Sequence, residues 1–147
     1  MDQTEITLRS ILSPMLEEKF PARGLQLFAT QEPFAVFPPV HPEVGPLEIF
    51  DDSDEARVML GHFTHAHFGC YDEGISKGAK LKIIAKNVCD FVDEVFRDKV
   101  QFYRSRWTGG YGPTGSQQGR LSRLLSGPTI FYVWSGPLND GYYGLSP

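Results

Sequence analysis

Residues 61–73 read GHFTHAHFGCYDE, and they hold three of the chain's four histidines, followed by a cysteine, an aspartate and a glutamate. Imidazole, thiol and carboxylate are the side chains that ligate metals and move protons. If the segment is a strand, its side chains alternate in direction. His65 and His67 then share one face with Met59 and Phe63, while His62 points the other way with Val58, Leu60, Thr64, Ala66 and Phe68. Two residues on one face lie roughly 6.5–7 Å apart at Cα, a spacing from which two imidazoles can converge on one ion. A catalytic metal takes about three protein ligands and keeps a position open. The third ligand would be His41, on a rigid loop before Pro42, or Cys70, Asp72 or Glu73. A carboxylate there suits iron and a thiolate suits zinc. On the metal reading the set is His65, His67 and His41, with zinc or iron as the ion; the sequence by itself predicts no cofactor. The same residues also read as a half-buried strand face, with imidazoles packed on Phe63. Cys70 as a nucleophile would need a histidine base and an orienting group that sequence adjacency does not supply.

A second group lies further on. Gly110, Gly112 and Gly115 spell G-x-G-x-x-G. Pro113 interrupts the run, no βαβ unit follows, and no acidic residue stands at the required distance, so a dinucleotide site is not expected. The glycine-rich stretch 108–119 reads as a loop. Arg104, Arg106, Trp107, Tyr111, Arg120 and Arg123 make it locally basic and aromatic. Arg104, Arg106, Trp107, Tyr111 and Arg120 are the candidate contacts to a partner protein or small anion.

The third feature is a charge gradient. Lys77, Lys80, Lys82 and Lys86 crowd the start of a helical pattern, and Asp90, Asp93, Glu94 and Asp98 crowd its end. That runs against the helix dipole. It suits an anion held where the first backbone N–H groups point outward, or a complementary partner surface. A solvated face gives the same pattern.

The elements that must position these groups follow from periodicity. TEITLRSILSPMLEEK (4–19) has apolar residues at three- and four-residue steps, which predicts a helix with Thr4 as its cap and a kink or break at Pro14. LQLFATQ (25–31) and PFAVFPP (33–39) predict strands. LEIFDD (47–52) and DEARVMLGHFTHAHF (54–68) predict a hairpin turning at the Asp51–Asp54 cluster. Residues 78–98 form the strongest helix, with Leu81, Ile84, Ala85, Val88, Val92 and Val95 in one stripe. VQFYRSRW (100–107) and PTIFYVWSG (128–136) predict strands, 120–126 a short helical turn, and 137–147 an irregular tail. Strands run consecutively instead of alternating with helices. The fold class is therefore α+β: a mostly antiparallel sheet of about five or six strands, with an N-terminal helix and one long helix packed on one face.

With 147 residues the chain is expected to be one domain. It is long enough to bury about 68–70% of its unfolded surface without a metal or disulfide. The net charge of −4 with neutral histidines argues against nucleic-acid binding. Cys70 and Cys89 match no zinc spacing and read as reduced thiols in the cytoplasm. The start MDQTEITLRS lacks a signal-peptide pattern, and no apolar run suits a membrane span. No catalytic constellation is complete. The first expectation is a small, soluble, cytoplasmic, non-enzymatic binding domain that recognises a protein or small anion. The rival is a metal-dependent enzyme built on the His-x-His strand.

Overall fold

The computed structural model describes residues 6–104, 109–114 and 130–138, the side chains at 104 and 130 excepted. The elements run α1 (Leu8–Lys19), β1 (Gln26–Leu27), β2 (Ala35–Phe37), β3 (Leu47–Asp51), β4 (Glu55–Leu60), β5 (Thr64–Gly69), α2 (Lys77–Phe96), β6 (Val100–Arg104), β7 (Gly109–Pro113), β8 (Ile130–Val133) and β9 (Gly136–Pro137). The fold is α+β, as expected. Instead of one sheet there are two antiparallel ones, in the orders β1-β2-β3-β4-β5 and β7-β6-β8-β9. The long helix separates them in sequence, and the strands after it pair among themselves. The backbone divides into two compact units. Residues 6–38, 47–58 and 66–91 belong to one; 39–46, 59–65 and the described residues from 92 onward belong to the other.

In the first unit, α1 starts at Thr7 and not at Thr4, which lies outside the described residues. A reciprocal capping box sets the boundary: Thr7 Oγ1 accepts from the Ser10 N–H (3.2 Å), and Ser10 Oγ accepts from the Thr7 N–H (3.0 Å). The helix runs on through Pro14. Leu8, Leu12 and Leu16, one helical turn apart, are its buried stripe. Thr7→Ala is expected to cost about 1 kcal/mol in urea denaturation; unchanged stability would contradict the cap.

The strand expected over 25–31 shortens to Gln26–Leu27. The Phe28 N–H donates to Phe34 O (2.8 Å), which closes a loop immediately after β1. Arg9 holds that loop. Its guanidinium donates to Ala29 O (2.8 Å), pairs with Glu32 and lies 5.4 Å from the Phe34 ring centroid. The hairpin β3–β4 turns as the Asp-rich cluster implied. Asp51 Oδ1 accepts from the Ser53 N–H (3.0 Å), and Ser53 takes the left-handed conformation, with φ of 71°.

The long strand expected over 54–68 breaks into β4 and β5 at residues 61–63. Gly61 has φ of 54°, and the Phe63 N–H donates to Leu60 O (3.0 Å), which reverses the chain. The alternation survives the break. Ala56, Val58, Leu60 and Ala66 are buried, and Phe68 meets Phe91 of α2 at 5.2 Å. All six stripe residues of α2 are buried.

In the second unit, the glycine-rich stretch is not wholly a loop. Gly109–Pro113 forms β7, paired residue by residue with Val100–Arg104. A Cβ on Gly109 would come within 2.3 Å of Phe63 O, and one on Gly110 within 2.6 Å of the Tyr103 hydroxyl, so the glycines are there for close approach. α2 ends where Asp98 turns left-handed (φ 60°), and its carboxylate accepts from the Ser135 N–H (3.1 Å) and hydroxyl (2.6 Å). Trp134 is buried against Phe96, with ring centroids 5.2 Å apart. The short helical turn expected at 120–126 and most of the tail fall outside the described residues. No described helix is long and apolar enough to cross a membrane.

Candidate functional site

His65 and His67 project from the outward side of β5, opposite the buried Ala66. This settles which face of the strand is covered: α2 takes the side of Phe68 and leaves the imidazoles in solvent. His67 Nδ1 lies 3.7 Å from Glu55 Oε1 on the neighbouring strand, and the other Glu55 oxygen accepts from the Tyr71 hydroxyl. His62 is exposed in the 61–63 turn. His41 is held elsewhere: its Nδ1 accepts from the Glu43 N–H (3.1 Å), and its ring lies against Gly136. Glu43 in turn accepts from the Tyr132 hydroxyl (3.0 Å), and burial together with that contact pushes the Tyr132 phenol up. Among the described residues, no three His, Cys, Asp or Glu side chains gather as a metal ion requires, so the set His41, His65 and His67 is not brought together.

The hydrogen bond to Glu55 raises the Tyr71 phenol above its ordinary value near 10, because ionising the hydroxyl would place two negative groups in contact. Glu55→Ala is expected to return the Tyr71 titration midpoint toward that value, read by NMR on the Tyr71 ring. An unmoved midpoint would contradict the contact.

Of the partner-binding candidates, Tyr111 sits in β7 opposite Phe102, and Arg104 ends β6 opposite Gly109 and Ile130. Arg106, Trp107 and Arg120 lie outside the described residues.

The arrangement with the most chemistry lies at the start of α2. Ser76 caps the helix: its Oγ accepts from the Ala79 N–H (3.2 Å) and its carbonyl from the Lys80 N–H (3.0 Å). Lys77, Lys80, Leu81 and Ile84 then follow at i, i+3, i+4 and i+7, which places them on one helical stripe. This stripe forms one side of a cleft of about 390 Å³. Asp54, from the β3–β4 turn, and Cys70, Tyr71 and Glu73, from the loop after β5, complete the lining. The loop is shaped by Asp72, whose Oδ1 accepts from the Gly74 N–H (2.9 Å), and by the Tyr71–Glu55 contact. Leu81 and Ile84 are buried, so they give the cleft an apolar floor under a charged mouth.

A second cleft, of about 410 Å³, lies between α1 and α2 and is lined by Met15, Glu18, Lys19, Lys86, Cys89 and Asp90. Its two lysines already share one of its carboxylates. Asp90 takes Lys86 at 2.7 Å and Lys19 at 3.6 Å, and the Lys86 hydrogen bond holds its carboxyl below the usual range. Burial pushes the Cys89 thiol up to about 11, so near neutral pH it is not a nucleophile. Both cysteines are free thiols, and Cys70 is the more accessible.

The sequence singles out the lysines, Cys70 and Glu73 separately. It missed that Asp54 and Tyr71 join them. The one signal available was the i, i+3, i+4, i+7 spacing, in which two lysines and two aliphatics share a stripe. No protein-family model, curated protein or solved structure matches the chain.

Proposed function

We propose that this chain is a small, cytoplasmic, non-enzymatic binding domain that takes a small charged ligand in the cleft at the start of α2. The observation that carries this reading is the cleft itself: polar groups from three separate elements converge over an apolar floor, in a volume of the size small ligands occupy. The helix start favours the negative end of such a ligand, since the dipole and the first-turn N–H groups act together there. Lys80 adds a cation from the same stripe.

Cys70 supplies a built-in reporter, because it lines the cleft while Cys89 is buried and protonated. Alkylation of Cys70 by iodoacetamide near neutral pH, followed by mass spectrometry of the modified peptide, measures access. Within a panel of small anions, amino acids and nucleotides, at least one compound is expected to slow that reaction about tenfold, equivalent to about 1.4 kcal/mol of occupancy. Lys80→Glu is expected to remove the protection. A panel in which no compound slows Cys70 would contradict the reading.

A further inference from the structure

The lining of the cleft is balanced in charge. Two lysines, Lys77 and Lys80, come from α2; two carboxylates, Asp54 and Glu73, come from the turn and the loop. The cations and the acids thus stand on different elements, with the apolar Leu81 and Ile84 as the floor. The Tyr71 hydroxyl is committed to Glu55, which leaves its ring as its main contribution. A simple anion entering this cleft gains from Lys80 but also meets the carboxylates of Asp54 and Glu73, and a simple cation meets the reverse. Charge that leaves water is tolerated when it is paired, and only a ligand carrying both signs pairs with both sets.

We propose that the cleft takes a small zwitterion of amino-acid or dipeptide size, its carboxylate at Lys80, its ammonium on the Asp54 and Glu73 side, and its aliphatic part over Leu81 and Ile84. This rests on the cleft being a ligand site. The volume of about 390 Å³ suits such a molecule.

The test uses matched probes: L-leucine and the dipeptide Gly-Leu, against 4-methylpentanoate, which lacks the ammonium, and 3-methylbutylamine, which lacks the carboxylate. Each is titrated into the ¹⁵N-labelled full chain, and the amide resonances of Cys70, Tyr71, Lys80 and Leu81 are followed. L-leucine or Gly-Leu is expected to move that group together, and each single-charge probe to bind about tenfold more weakly or worse. Lys80→Gln and Glu73→Gln, both at the mouth of the cleft, are each expected to weaken the zwitterion by a similar factor, with spectra that report an intact fold. If 4-methylpentanoate binds as tightly as leucine, the zwitterion is overturned while the cleft stands as an anion site. If neither zwitterion moves those resonances, this inference is overturned. The cleft reading falls separately, when no compound of any charge protects Cys70.

Discussion

Gly61→Ala is expected to destabilise the protein by about 3 kcal/mol or more, and to lower Tm by roughly 10 °C. Two independent causes add. Gly61 has φ of 54°, a conformation that costs a residue with a Cβ. A Cβ there would also stand 1.7 Å from Val44 O and 2.8 Å from its carbonyl carbon. The obstacle is main chain, which cannot rotate aside as a side chain does. The loop that would have to move is anchored at the same place, where the Gly61 N–H donates to Pro46 O (2.8 Å). Gly78→Ala is the matched comparison. It lies in the first turn of α2, and an added Cβ meets nothing within 4 Å. It is expected to stabilise by about 0.5 kcal/mol, because alanine loses less backbone entropy in a helix. Thermal denaturation of both variants checks the pair; similar effects from both would contradict this account of the 61–63 turn.

Leu12→Ala is expected to cost about 3 kcal/mol, within the range of about 2–5 seen when a buried leucine is truncated. Leu12 is fully buried at the centre of the Leu8–Leu12–Leu16 stripe, so its loss leaves a cavity that its neighbours on both turns cannot close. Glu17, exposed on the same helix, gives the contrast: Glu17→Ala is expected to change stability by no more than about 0.5 kcal/mol. Urea denaturation monitored by circular dichroism separates the two. Equal, small effects would mean that α1 does not seat its leucine stripe in the core.

Local sequence signals agree with the structure where one element contains its own explanation. The α2 stripe from Leu81 to Val95 is buried throughout, and the Asp51–Ser53 turn is made by the side-chain bond its composition implies. The i,i+4 pair of Lys86 and Asp90 forms in the orientation the dipole disfavours. Sequence and structure part where the deciding partner lies far along the chain. Gly61 looks like an ordinary strand residue until Val44 and Pro46 are placed beside it. The glycines at 109 and 110 look like loop punctuation until Phe63 and Tyr103 leave room for nothing larger. The pattern points to Thr4 as the cap, and the reciprocal bonds between Thr7 and Ser10 put the cap at Thr7 instead.

The candidate site follows the same rule. The histidines stood out because they are adjacent in sequence, yet adjacency on β5 turned them into solvent, with His67 beside Glu55. The cleft at α2 was harder to see because Asp54, Glu73 and Lys80 come from three elements. Its helical half was legible from spacing; its other half needed the β3–β4 turn and the loop after β5 to be folded.

Whether ligands enter the cleft at the start of α2 is read from a ¹H–¹⁵N correlation spectrum of the full chain, recorded against a panel of small charged molecules, with Lys80→Glu in parallel. The responding resonances are expected to cluster at Asp54, Cys70–Glu73 and Lys77–Ile84, and Lys80→Glu to weaken the response by about tenfold or more. Responses confined to the outward histidine face or to the 41–43 loop, with the α2 start unmoved, would contradict a ligand site there.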